Sequence, residues 1–202
     1  MLAAELMRQS HISPMVLIMP SDGLWGDGSG YVSHTNPSTD SKLQQDFEKW
    51  IVEEVPEIAM QTCGACSSES PRFIAGLSMG GFAALRLAGQ YPERYLAASG
   101  HSSVTEVSQL DQLMEETRAH WSTAATSVSV LEALKSAQGK LPALRFDCGL
   151  SDIFLQPNRQ LHQSLLALGI AHVYEEFEGG HEWPYWQTHL ADSLRFFSRT
   201  LK

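Results

Sequence analysis

The chain has 202 residues, 43% hydrophobic and 18% charged, which is enough for one sizeable core of ordinary globular composition. A formal net charge of -9 with no basic cluster argues against nucleic-acid binding. No apolar run approaches the ~20 residues of a membrane-spanning helix.

Residues 1–8 read as a short amphipathic helix. They lack the basic start and continuous apolar stretch of a signal peptide, so the chain reads as cytoplasmic. Met15 to Met19 is a continuous apolar run closed by Pro20, the pattern of a strand buried on both faces of a parallel sheet. A glycine-rich polar loop follows from Ser21 to Pro37; its Trp25 either anchors the loop or contacts a substrate. Asp40 to Glu54 has a helical stripe of Leu43, Phe47, Trp50 and Ile51, with Pro56 ending it or opening a continuation. Gln61 to Pro71 is a polar loop. Its Cys63-Gly64-Ala65-Cys66 has the spacing of a redox pair or half a metal site, but no second ligand pair is near, so two loop thiols are the preferred reading. Cys148 reads as inert core.

Phe73 to Ala75 is a short apolar strand that breaks at Gly76, and a helix of small and apolar residues begins after Gly80. Between them stands Gly76-Leu77-Ser78-Met79-Gly80, the spacing of a nucleophile elbow. A strand turning sharply into a helix strains its central residue, and the flanking glycines are expected to remove Cβ atoms that would collide. The serine hydroxyl then stands at the carboxyl end of the strand, and the N–H of Met79 faces any developing oxyanion. Further on, Tyr95 to Ser99 is a strand, and Gly100 to Ser103 a turn. Residues 105–120 and 128–137 read as two helices, either a small cap within 104–140 or plain crossovers. Ala143 to Cys148 is a strand with exit loop Gly149 to Asp152, Asn158 to Leu168 a helix, and His172 to Phe177 a last strand followed by Glu178-Gly179-Gly180-His181. A final helix from Pro184 presents Trp186, Leu190, Leu194, Phe197 and Leu201. The alternation of strands and helices predicts a single α/β domain over 1–202: a mainly parallel sheet of about five strands with helices on both faces.

An activated serine needs a base, and the base an orienting acid. Asp152 and His181 lie just past two later strands, which puts both at the sheet edge where Ser78 stands. Asp147 is the competing acid, disfavoured because it lies within a strand. His34 and His101 are competing loop histidines, whereas Gly179 and Gly180 leave the backbone of His181 free to reach the serine.

Gly76 to Gly81 with Ala83-Ala84-Leu85, then Asp147 to Asp152, Asn158-Arg159, and Gly179-Gly180-His181-Glu182-Trp183 resemble, in order, the motifs of the putative-esterase family of α/β-hydrolases, from about Pro14 to Phe197. That family includes esterase D, feruloyl and acetyl-xylan esterases and mycolyl transferases. The resemblance implies a carboxylic-ester hydrolase with Ser78 as nucleophile, Asp152 as acid, His181 as base, the Met79 N–H as an oxyanion donor and Trp183 near them. It implies a small-molecule ester substrate and no metal or organic cofactor, and leaves a homo-oligomer open. An acyltransferase of the same fold and an inactive hydrolase-like fragment with a binding role are the alternatives. The second arises because family members carry a longer stretch ahead of Pro14, with a strand between Met15–Met19 and the elbow strand and a His-Gly loop giving the second oxyanion N–H. Its absence here leads to the expectation of a truncated product, of direct pairing between those two strands, or of a strand supplied by another chain.

Overall fold

The computed structural model describes residues 2–21, 30–32, 34–35, 44–113 and 129–201. Helix α1 (Leu2–Arg8) is followed by a two-stranded antiparallel ribbon, β1 (His34–Thr35) with β2 (Gln44–Gln45). One helical segment then runs through α2 (Phe47–Lys49), a wider π turn (Trp50–Glu54) and α3 (Val55–Thr62), so Pro56 opens a continuation rather than ending the helix. The main sheet has four parallel strands in the order β3 (Phe73–Leu77), β4 (Ala97–His101), β5 (Ala143–Gly149), β6 (Val173–Phe177). Helices α4 (Met79–Gln90), α5 (Val130–Ser136), α6 (Leu155–Ala167) and α7 (Trp183–Arg199) alternate with them. The predicted α/β class and shortened parallel sheet stand, with four strands in the main sheet among the described residues.

Alternation along the strands sorts the two faces. Ala98, Leu144 and Phe146 point to one side and meet Phe82 and Leu85 of α4, Leu134 of α5, and Leu161 and Leu165 of α6 in one buried cluster. The close approach of α4 and α5 depends on Gly89, whose added Cβ would lie 2.5 Å from the Ala133 carbonyl carbon. Helix α5 is therefore a crossover helix against the sheet layer; residues 114–128 of the cap alternative lie outside the described residues. The opposite face of the sheet carries Ser99, His101, Arg145 and Asp147, all buried, and is covered by α7, against which α1 packs.

That polar face corrects the stripe read for the last helix. Trp186, Leu194 and Phe197 are buried as expected, but Leu190 and Leu201 are exposed while Tyr185 and Ser193 turn inward. The Tyr185 hydroxyl donates to Asp147 Oδ1 at 2.7 Å, and Ser193 Oγ lies 2.7 Å from His101 Nε2 and 2.6 Å from Ser99 Oγ. A helix burying hydrogen-bonding side chains over a polar sheet face does not follow an apolar period.

The Met15–Met19 strand is not formed. The run has no ladder partner among the described residues, with Val16 43%, Ile18 48% and Met19 81% exposed. A strand needs a ladder partner as well as apolar side chains. Here the segment is tied to helices instead: the Ser13 N–H donates to Ser198 Oγ of α7 at 2.8 Å. Among the described residues β3 pairs with β4 alone, so the expected direct pairing of the run with the elbow strand does not occur. Strand β4 also runs two residues past its predicted end, which makes His101 a strand residue rather than a loop histidine. Cys63 and Cys66 are free, partly exposed thiols, and Cys148 is buried with its thiol pushed upward by burial.

Candidate active site

Ser78 joins β3 to α4 with φ 54° and ψ -117°, a left-handed backbone that costs free energy in any residue bearing a Cβ. It is held by hydrogen bonds on both sides: its N–H donates to the His101 carbonyl at 2.9 Å, and its carbonyl accepts from Phe82 at 3.0 Å. The two motif glycines are not equivalent. A Cβ on Gly76 would fall 2.2 Å from the carbonyl carbon and oxygen of Gly80, whereas a Cβ on Gly80 would meet nothing within 4 Å. The turn therefore needs Gly76 for close approach, and the expected collision at Gly80 is absent.

This asymmetry predicts that Gly76→Ala costs about 3 kcal/mol or more, because backbone cannot rotate away as a side chain can. Gly64→Ala, with open space around its Cβ, should leave the melting temperature unchanged. Thermal denaturation of the two variants side by side checks this, and equal melting temperatures would refute the packing argument.

Asp152 lies in the turn after β5, pinned at its base by its own N–H to the Gly149 carbonyl (3.0 Å). The neighbouring Leu150 and Ser151 N–H groups donate to the Phe177 and Gly179 carbonyls at 2.8 and 2.9 Å, stitching the Asp152 turn to the loop that carries His181. A Cβ on Gly149 would lie 2.4 Å from the Gly179 oxygen, so glycine at 149 is what lets the two loops touch. Gly179, at φ +128°, takes a conformation that favours glycine and sets the chain on course to His181.

The three side chains sequence reasoning selected meet in one line. His181 Nε2 lies 2.9 Å from Ser78 Oγ, and His181 Nδ1 lies 3.1 Å from each Asp152 carboxylate oxygen. The imidazole is clamped edge-to-face between Phe154, with ring centroids 5.1 Å apart, and Trp186, at 5.0 Å. Asp152 Oδ1 also accepts the Phe154 N–H at 2.8 Å. Burial pushes the Asp152 carboxyl up, but the hydrogen bonds from His181 and Phe154 outweigh it, and the group ionises below the ordinary carboxyl range. Trp183, 65% exposed, stands edge-to-face against Trp186 with centroids 5.3 Å apart and so lies one ring away from the imidazole. Met79 opens α4, where the first N–H groups have no intrahelical acceptor. Trp25 lies outside the described residues.

The rejected candidates find each other. His101 Nδ1 lies 2.8 Å from Asp147 Oδ2, and Arg145 Nη1 donates to the same oxygen at 2.6 Å. Arg145 reaches outward to Glu175 at 2.9 Å. Burial raises the Asp147 carboxyl, but His101, Arg145 and the Tyr185 hydroxyl together bring it below the usual range. Glu176, bonded by Arg159 at 2.7 Å, is lowered as well, first by that hydrogen bond. Sequence reasoning missed Phe154 and Tyr185, whose one visible signal was position beside the chosen loops.

A lowered carboxyl pKa is a stability term with a definite sign. The ionised forms of Asp147, Asp152 and Glu176 stabilise the folded chain above the ordinary pKa near 4, and that contribution is lost as pH falls through the lower folded values. The melting temperature, followed by circular dichroism, should fall steadily from about pH 4 toward pH 2. A flat profile over that window would contradict the assignment.

Among the described residues no helix is long and apolar enough to cross a membrane. In comparisons with known proteins, the chain is 26% identical over 177 residues to an acetyl esterase of Caldicellulosiruptor saccharolyticus, covering 79% of this chain and 66% of that protein. Its fold matches a ferulic acid esterase with a TM-score of 0.74 at 21% identity, over 99% of this chain and 76% of the other. An S-formylglutathione hydrolase from Agrobacterium tumefaciens matches with a TM-score of 0.67 at 21% identity, over 95% and 71% of the two chains. The fluorophosphonate-binding serine hydrolase FphF of Staphylococcus aureus matches with a TM-score of 0.64 at 23% identity, over 75% of this chain and 63% of its own. The chain thus spans about two thirds of the length of the acetyl esterase and of FphF. The family model described as Putative esterase matches residues 3–197, nearly the whole strand–helix series that carries Ser78, Asp152 and His181, and the chain belongs to that family.

Proposed function

We propose that the protein is a serine carboxylic-ester hydrolase working through Ser78, His181 and Asp152. The observation that carries this reading is the unbroken line from a strained serine to a carboxylate: Ser78 Oγ to His181 Nε2 at 2.9 Å, and His181 Nδ1 to Asp152 at 3.1 Å. Ser78 Oγ attacks the ester carbonyl carbon while His181 Nε2 takes its proton, and the ionised Asp152 steadies the imidazolium. The oxygen that becomes negative faces the N–H of Met79 and the start of α4. The tetrahedral intermediate collapses, the C–O bond to the alcohol breaks, and His181 returns the proton to the departing oxygen. Water then attacks the acyl-Ser78 carbonyl, again giving its proton to His181, and the carboxylic acid leaves with Ser78 restored.

Trp183 is the proposed substrate contact. A large, mostly exposed indole beside a packed indole next to the imidazole offers a flat apolar face to an acyl or alcohol group. A fluorophosphonate probe should label the purified chain once, at Ser78, and the chain should hydrolyse p-nitrophenyl acetate with a burst of p-nitrophenol. Absence of both label and burst would overturn the reading in favour of a binding role. Faster product formation with an added alcohol, yielding a new ester, would move it to an acyltransferase.

A further inference from the structure

Gly169, at φ +68°, ends α6 and turns the chain toward β6. The Gly169 and Ile170 N–H groups donate back to the Leu166 and Leu165 carbonyls at 3.0 and 2.9 Å, which closes the helix. Two histidines, one on each side of this turn, then meet. His162 Nδ1 on α6 lies 2.8 Å from His172 Nε2, and His172 Nδ1 lies 2.8 Å from the Ile170 carbonyl oxygen. The two ring centroids are 5.0 Å apart, about one ring's width more than the nitrogens, so the nitrogens face each other along one line.

The carbonyl settles where the protons sit. A carbonyl oxygen only accepts, so His172 carries its hydrogen on Nδ1, and its Nε2 is the acceptor within the pair. His162 Nδ1 is then the donor. A further proton fits on the other ring nitrogen of His162 without disturbing this bond. A proton on His172 Nε2 would set two N–H groups against each other and break it. The charged and titratable groups facing the pair come from three elements. From β6, Tyr174 stacks on the His162 ring at 4.7 Å, and its hydroxyl donates to Glu176 Oε1 at 2.8 Å. From α6, Arg159 donates to both Glu176 oxygens at 2.8 and 2.7 Å, so that carboxylate is already engaged by three donors. β5 presents the Phe146 ring, stacked on His172 at 5.5 Å, and further along the buried Cys148 thiol. Burial and the neighbouring His172 ring hold the His162 imidazole below the ordinary histidine range, against a weaker opposing pull from Glu176.

We propose that His162 and His172 form a proton-operated latch fastening the turn before β6 to α6, closed while the pair holds at most one positive charge and opened when both rings are charged. The latch stands apart from the esterase reading and acts on the stability of the fold in mildly acid solution. Its sign follows from counting protons. Below the ordinary imidazole value near 6.5 the unfolded chain charges both rings, whereas the closed pair charges one at most. The unfolded state then binds more protons, so the latch's contribution is complete above about pH 6.5 and is lost as pH falls toward about 5. That window lies above the one in which the lowered carboxylates act, so the two losses are separable.

The test measures the unfolding constant of the whole chain by urea denaturation from about pH 7.5 to about pH 5, for the wild type and for His172→Gln. Glutamine keeps an acceptor for the His162 Nδ1–H and takes no proton of its own. One withheld proton raises the unfolding constant about tenfold per pH unit. Between about pH 6.5 and pH 5 the wild-type constant should therefore rise about 10-fold more than that of His172→Gln, whatever the variant's stability at neutral pH. Nitrogen-15 NMR of the wild-type imidazoles is the second readout. At neutral pH His172 should carry its hydrogen on Nδ1, and the pair should titrate in two separated steps. Equal pH slopes in the two proteins, or both rings charging together in one step with the fold intact, would overturn the latch and leave the pair a packing contact. If His172→Gln does not fold, the wild-type titration decides alone, one step against two. A chain without esterase turnover changes none of these readouts.

Discussion

Ser78→Ala is expected to lower turnover of p-nitrophenyl acetate by at least ~10⁴-fold and to abolish fluorophosphonate labelling, with the melting temperature nearly unchanged. The size follows from the chemistry. Without the hydroxyl no acyl-enzyme forms, and the rate falls to what an oriented histidine and the oxyanion-facing N–H groups can do with water alone. The unchanged stability follows from the structure. Alanine keeps the Cβ and hence the left-handed strain at φ 54°, and the lost hydroxyl removes a single hydrogen bond, to His181 Nε2 at 2.9 Å, a net loss of about 1 kcal/mol. Labelling and turnover are needed together, because surface nucleophiles hydrolyse activated esters slowly with no burst. Full labelling of the alanine variant would place the nucleophile elsewhere; unchanged burst kinetics would dismiss Ser78 altogether.

The positions of Ser78, Asp152 and His181 were legible because each stands just beyond a strand, beside glycines whose reason is steric. Gly76 is there for close backbone approach to Gly80 within its own turn, and Gly179 for a positive φ. Such constraints act on a single residue and show in a single sequence. Constraints that need two distant segments do not. Met15 to Met19 has the apolar run of a buried strand, but composition cannot say whether a neighbouring ladder is present, and without one the run lies half-exposed along α1 and α7. The stripe on α7 failed for a related reason: the inward turn of Tyr185 and Ser193 is dictated by Asp147 and His101 on strands far away in the chain.

The residue weighed against Asp152 supplies the second large effect, on stability rather than rate. Asp147 is fully buried and receives Arg145 Nη1 at 2.6 Å and the Tyr185 hydroxyl at 2.7 Å, with His101 Nδ1 at 2.8 Å. Asp147→Ala would leave the buried Arg145 guanidinium with only Glu175 as a counter-charge and would strand a buried phenol donor. Removing one partner of a buried pair costs about 3–5 kcal/mol. For a chain of this length that should lower the melting temperature by about 6–20 °C. Asp147→Asn, which keeps an acceptor for Tyr185 while losing the charge, should fall between. Replacing both ends, as in Arg145→Met with Asp147→Leu, should recover much of the loss, because the cost lies in the uncompensated charge rather than in the missing pair. The folded fraction of Asp147→Ala should keep labelling Ser78, since the proposed acid is Asp152, which contacts His181 directly. An Asp147→Ala protein with wild-type stability but no labelling would reverse the two aspartates' roles.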